Sequence, residues 1–236
     1  MAEAARNQLH LTFKNLLASG EFSDLTVTCG PDSYKVHKNV VCSRAEFFSR
    51  AVKFGGKETE QGSVDLPEDE PAIVKLMMQY IYEGEYDPTL PDNRLSNSMQ
   101  PECHHTCRGF TCGLCYVAPT APTALPIPGS PTQLMVHAKL YEIADKYDVV
   151  GLKELVIEKF KRACHSFWND PSFAAAAHHV FSTTPEHDKG LRDIVSKTIA
   201  EHMTELVKKP EVEALLTEFN GLAFGLLKMK TEAGWK

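Results

Sequence analysis

The sequence predicts a mixed α+β module, a small sheet capped by helical hairpins, followed by an all-helical C-terminal region. Three observations carry that expectation. Alternating strand patterns fall within the first 66 residues. Apolar residues at helical spacing dominate the rest. A Pro- and Cys-rich stretch without periodicity interrupts the helical pattern in the middle.

The first periodic segment, residues 8–18, places Leu9, Phe13, Leu16 and Leu17 near one helical face, and Gly20 is a good helix stop. The runs Asp24-Leu-Thr-Val-Thr-Cys29 and Ser33-Tyr-Lys-Val-His37 flank the turn cluster Gly30-Pro31-Asp32, which predicts a β-hairpin. Residues 37–42 and 44–54 read as two short helices, the second with Phe47, Phe48 and Val52 inward and Gly55-Gly56 ending it. Residues 63–66 form a short strand. The acidic run Pro67-Glu-Asp-Glu-Pro71 then opens a helix whose stripe is Ile73, Leu76, Met77, Tyr80 and Ile81.

Residues 88–131 hold eight of the fourteen prolines, four of the seven cysteines and no lysine. Such a stretch reads as a loop inserted between two helices of one domain, since loop-closure cost grows slowly with length. Periodicity returns with Leu134, Ala138, Tyr141, Ala144 and Tyr147, then Leu152, Leu155, Val156 and Phe160. Helices are expected over 172–181, 188–202 and 211–228. Their stripes, including Leu191, Ile199, Leu215, Phe219 and Leu226, are expected to stack on the helical hairpin of 133–165.

The composition, 43% hydrophobic and 24% charged, suits an ordinary globular chain able to bury a core without disulfides or metal. A net charge of −6 without a basic stripe argues against nucleic-acid binding. No run reaches the length of a membrane span, and the N-terminus lacks the apolar centre of a signal peptide. A cytoplasmic or nuclear protein with reduced thiols is expected, and the odd cysteine count provides no disulfide framework.

Five stretches, in order, carry a resemblance. They are Phe22-Ser-Asp-Leu-Thr-Val27, the run from Tyr34 through His37 and Lys38 to Phe47-Phe48, Val64-Asp-Leu-Pro-Glu-Asp-Glu-Pro71, Leu76-Met-Met-Gln-Tyr-Ile-Tyr-Glu-Gly-Glu-Tyr86, and Ala138 to Asp148 with Gly151-Leu-Lys. Over residues 8–165 the chain resembles a BTB/POZ domain protein. The Pro-Glu-Asp-Glu-Pro run and the insert resemble the fungal BTB group with a helical C-terminal extension.

The resemblance implies a BTB/POZ fold over 1–166, with 88–131 the inserted loop, and a helical extension over 167–236. It implies a protein-binding module that self-associates and scaffolds other proteins, and no enzyme. The homodimer interface would hold Leu9, Phe13 and Leu16 of the first helix, with Asp24 and Lys38 forming a charged pocket. It also raises two further roles: substrate adaptor of a cullin-type ubiquitin ligase, and transcriptional co-regulator. For cullin the contacts would be Phe54 and Glu58, although Gly56 stands where the family's hydrophobic-x-Glu motif has its apolar residue.

Three histidine-bearing features can be read from the residues themselves. His37, at a strand end, is expected to be a hydrogen-bonded core residue rather than a catalyst, because nothing nearby completes a nucleophile with Cys42. The cluster Cys103, His104, Cys107, Cys112 and Cys115 has two readings. One is a zinc knot, with Cys112-Gly-Leu-Cys115 as a half-site joined by Cys107 and one of Cys103 or His104. The other is a disordered insert with adventitious thiols. His178-His179 lie on different faces of a helix, so they are not expected to share a metal.

Overall fold

The first helix is longer than its apolar stripe suggests. In the computed structural model, which describes residues 2–54, 62–88 and 129–234, it is α1, Ala2–Ser19. Gly20 ends it at φ 66°, a left-handed conformation that favours glycine. The hairpin follows as β1, Leu25–Cys29, antiparallel to β2, Asp32–Val36. In β1 the residues Leu25, Val27 and Cys29 are buried while Thr26 and Thr28 are not, the period-two alternation of a half-buried strand.

Two short helices come next: α2, Lys38–Arg44, and α3, Glu46–Lys53. Phe48 is fully buried, with Phe47 and Val52 half-buried around it. β3, Ser63–Asp65, then pairs parallel to β1, giving a three-stranded sheet of order β2-β1-β3. α4, Pro71–Glu83, begins with proline at its first position and ends at Gly84, φ 68°.

The helical pair expected after the insert is α5, Gln133–Lys146, and α6, Leu152–Phe167. Its turn joins the N-terminal part through an isolated bridge between Ala45 and Val149, flanked by Val150 N–H donating to the Arg44 carbonyl. The acidic run before α4 is tied to the same pair. Asp69 accepts from Lys146 Nζ at 3.0 Å and from the Tyr147 hydroxyl, and Glu70 pairs with Lys139. Those carboxylates act as cross-links between elements rather than as caps of α4, whose N-cap residue Glu70 makes no side-chain capping bond.

The C-terminal third holds α7, Pro171–Thr183; α8, Gly190–Glu201; α9, Met203–Leu206; α10, Pro210–Glu218; and α11, Asn220–Ala233. α7 packs on α5, α8 on α6, α10 on α7 and α11 on α8. One hydrophobic cluster runs from Leu25 in β1 to Leu226 in α11, so the core continues across positions 166 and 167 without a break.

One sequence expectation fails here. The helix expected over 211–228 is two helices, broken at Phe219 (φ −103°, ψ 74°). The Phe219 ring packs 5.5 Å from Phe181 and 5.5 Å from His178, and the poor helix formers Asn220 and Gly221 follow it. Tertiary packing of one aromatic ring outweighs the continuous stripe.

A polar tie fastens this region to the hairpin. The Asp188 carboxylate accepts from the Tyr141 hydroxyl at 2.7 Å, from Lys153 Nζ at 2.8 Å and from Gly190 N–H at 3.1 Å. Burial opposes its charge, but the bonds from Lys153, Tyr141 and Gly190 outweigh that and hold the carboxyl below its usual range.

Candidate functional site

α1 is seated along only part of its length. It lies on α4 and β2, and Lys14 stands 3.6 Å from Glu83. Phe13, Leu16 and Leu17 are half-buried against the core, whereas every residue from 4 to 12 is exposed. Leu9 is 58% exposed and Leu11 52%. The stripe read from the sequence is thus divided, with Phe13 and Leu16 facing the protein's own core and Leu9 facing outward. Leu11 falls off that stripe, and periodicity attaches no role to it.

At the other end of this face, Asp24 and Lys38 come together, but not as the expected charged pair. Asp24 Oδ1 accepts from the backbone N–H of Lys38 at 2.7 Å. No ion pair joins the two side chains among the described residues. Lys38 is the first residue of α2, where backbone N–H groups lack intrahelical acceptors, so the carboxylate fills that vacancy and leaves the ammonium free.

Beside this junction His37 is buried and bonded at both ring nitrogens. Nε2 lies 2.7 Å from the Glu21 carbonyl and Nδ1 lies 2.8 Å from the Tyr82 hydroxyl. A neutral ring with its proton on Nε2 satisfies both contacts, and Tyr82 also accepts the His37 backbone N–H. Cys42 lies nearby on α2, and burial pushes its thiol up, with Asp24 adding to the effect. A raised thiol is a poor nucleophile at neutral pH.

The tyrosines at the end of α4 explain their spacing. Tyr80 donates its hydroxyl to the Val150 carbonyl at 3.0 Å, Tyr82 meets His37, and the Tyr86 hydroxyl lies 2.7 Å from His137 Nδ1. The three rings bind the α5–α6 turn, the hairpin exit and the start of α5 to a single helix. Burial pushes the Tyr82 hydroxyl up to about 12 and pushes His137 down to about 3, with Lys159 and Arg162 adding to the latter.

This arrangement is a hairpin with a third parallel strand, a half-seated first helix beside α4, and a His–Tyr pair locking the two together. It has a counterpart among known families. Residues 13–100 match the family model of the BTB/POZ domain. The chain carries a BTB/POZ domain. BTB/POZ domains are protein–protein interaction modules of a non-catalytic family. The matched span begins at Phe13, where α1 becomes seated, and includes the whole sheet, α2, α3 and α4. The helices from α5 onward lie outside it.

The other candidate positions divide by location. Phe54, at the end of α3, is 84% exposed. Glu58 lies outside the described residues, as do Cys103, His104, Cys107, Cys112 and Cys115. Among the described residues no group of His, Cys, Asp and Glu is placed to hold a metal ion, and no helix is long and apolar enough to cross a membrane. His178 and His179 turn to different neighbours. His178 Nε2 is 3.0 Å from Glu218 of α10, and His179 Nε2 is 2.9 Å from Glu142 of α5. The second contact is an ion-pair approach whose angle is not that of a hydrogen bond.

Sequence reasoning missed Phe22. It is 88% exposed and sits at φ 61°, a conformation that bulky residues rarely adopt. It lies inside the quoted motif Phe22-Ser-Asp, yet composition alone does not distinguish an outward phenylalanine from a core one.

Proposed function

We propose that this protein is a non-catalytic scaffold that self-associates through α1 of its BTB/POZ domain and presents its helical C-terminal region to other proteins. The observation that carries this is the half-seated α1. A helical segment of this length is marginal in water without tertiary support, yet among the described residues every position from 4 to 12 is exposed, Leu9 and Leu11 included. A second copy placed by a two-fold axis needs only one self-complementary patch to cover them. Leu9 and Leu11 would lie at its centre, with the half-buried Phe13 and Leu16 beside them and Asp24 and Lys38 at its edge. The free Lys38 ammonium is available to a carboxylate across the axis. Sedimentation of the full chain at micromolar concentration tests this: a dimer is expected, and a monomer refutes it.

One observation favours a cullin adaptor as the second role. Phe54 is exposed at the end of α3, directly before the segment with Glu58. Binding to a purified cullin N-terminal domain, lost on Phe54→Ala, supports that role, and no binding refutes it. A part in transcriptional co-regulation has no comparable observation. For the Cys cluster, the zinc knot predicts stoichiometric zinc by elemental analysis, lost on Cys112→Ser, whereas metal-free protein with all four thiols alkylated refutes it. With BTB/POZ domains acting between proteins, the cytoplasm or nucleus fits the composition.

A further inference from the structure

Between α6 and α8 runs an open groove of about 680 Å³. Ile157 of α6 and Ile194 of α8 lie half-buried along it, with Thr198 buried beside them. The Thr198 hydroxyl donates to the Ile194 carbonyl at 2.8 Å, so the floor is largely apolar. The rims carry exposed lysines: Lys161 on α6, Lys197 on α8 and Lys189 at the start of α8. Ile157 and Lys161 are four residues apart on one helix, as are Asp193 and Lys197 on the other, so each pair shares a face.

These lysines differ from the other lysines of α5 and α6. Lys139, Lys146, Lys153 and Lys159 each hold a carboxylate, from Glu70, Asp69, Asp188 and Glu85 in turn. Lys161, Lys189 and Lys197 hold none among the described residues. In a chain of net charge −6, carboxylates are in excess, yet these three cations are left uncommitted beside an apolar floor. Asp193 and Glu201 also line the α8 side and also lack partners among the described residues. They limit where an incoming carboxylate can sit, which makes the groove selective in register as well as in charge.

We infer that the α6–α8 groove is a docking site for an acidic amphipathic helix of a partner protein. The ligand lays apolar residues at i and i+4 on Ile157 and Ile194 and directs carboxylates to Lys161 and Lys197. α8 is 12 residues long, roughly 18 Å at helical rise, so its groove seats about three turns of such a helix. The inference deepens the reading of the C-terminal region as the part that meets other proteins, and it stands apart from self-association through α1.

The test pans a displayed library of random peptides about 16 residues long against the full chain. Counter-selection uses the Lys161→Glu/Lys197→Glu double variant, and a Lys161→Ala/Lys197→Ala variant is a second control. Both positions are exposed, so circular dichroism and melting of the variants should match wild type. Selected peptides are expected to carry an aliphatic i, i+4 pair flanked by Glu or Asp. Synthetic copies should bind wild type roughly tenfold tighter than the charge-reversed variant and weaken with added salt. An empty selection, peptides without acidic enrichment, or equal binding to wild type and both variants overturns the proposal. Sedimentation of the same proteins separates the two questions, because groove variants that bind no peptide yet keep the wild-type oligomeric state leave the α1 reading untouched.

Discussion

α4 and α1 lie against each other, yet one is enclosed and the other is half bare. α4 buries Ile73, Val74, Met77, Met78 and Ile81, and its tyrosines reach three other elements. Among the described residues of α1 none is fully buried, and Phe13, Leu16 and Leu17 are the ones seated against the core. The difference teaches that α4 organises the fold, whereas α1 rests on it by one end and leaves Leu9 and Leu11 exposed at the other.

The largest expected effect removes the cover from α5 and α6. Truncation after Ser166 deletes α7 to α11, of which α7 and α8 pack directly on that pair, together with the Asp188 tie. The fragment is expected to aggregate and to bind a hydrophobic dye. A soluble 1–166 fragment that unfolds cooperatively would mean that the C-terminal region folds as an independent unit, and α5 and α6 would then resemble α1 more than α4. Next in size is Met77→Ala on α4, where a fully buried side chain is lost. Destabilisation of about 2–5 kcal/mol is expected in urea unfolding.

Acidification probes the link from α4 to α5. His137 has a folded-state pKa pushed down to about 3 from an ordinary value of 6.5, so the unfolded chain binds the proton more readily. Its contribution is present above pH 6.5 and is lost as pH falls from there towards 3. Between pH 7 and pH 5 that loss is about 2 kcal/mol. His137→Gln should flatten this part of the profile, and an unchanged slope would place the pH dependence elsewhere. The smallest effect on folding is at Leu9. Leu9→Glu is expected to change intrinsic stability by less than about 0.5 kcal/mol while abolishing the dimer in sedimentation. A large loss of stability in the monomer would show that α1 is seated after all.

Much of the fold was legible because short-range chemistry sets it. The alternation of Leu25, Val27 and Cys29, the glycines after α1 and α4, and the prolines opening α4, α7 and α10 act within a few residues. The candidate site was less legible. Spacing placed Leu9, Phe13 and Leu16 on one face but could not say that only the last two meet the core. Asp24 and Lys38 meet through the Asp24 carboxylate and the Lys38 backbone N–H rather than side chain to side chain, a pairing that spacing does not encode. The unpaired lysines of the α6–α8 groove had no signature at all, since a lysine's partner lies on another helix.

The sequence by itself determined most element types, their order and the BTB/POZ character, because these follow from periodicity and from motifs read along the chain. Tertiary structure alone decided which polar groups are committed and which are free. Tyr86 and His137 meet across 51 positions, and Asp188 joins Tyr141 across 47. It also broke the last expected helix at Phe219 and left half of α1 uncovered. The physical reason is the same in each case. A hydrogen bond, ion pair or buried ring depends on how distant helices pack, and local spacing carries no information about which surfaces will be covered.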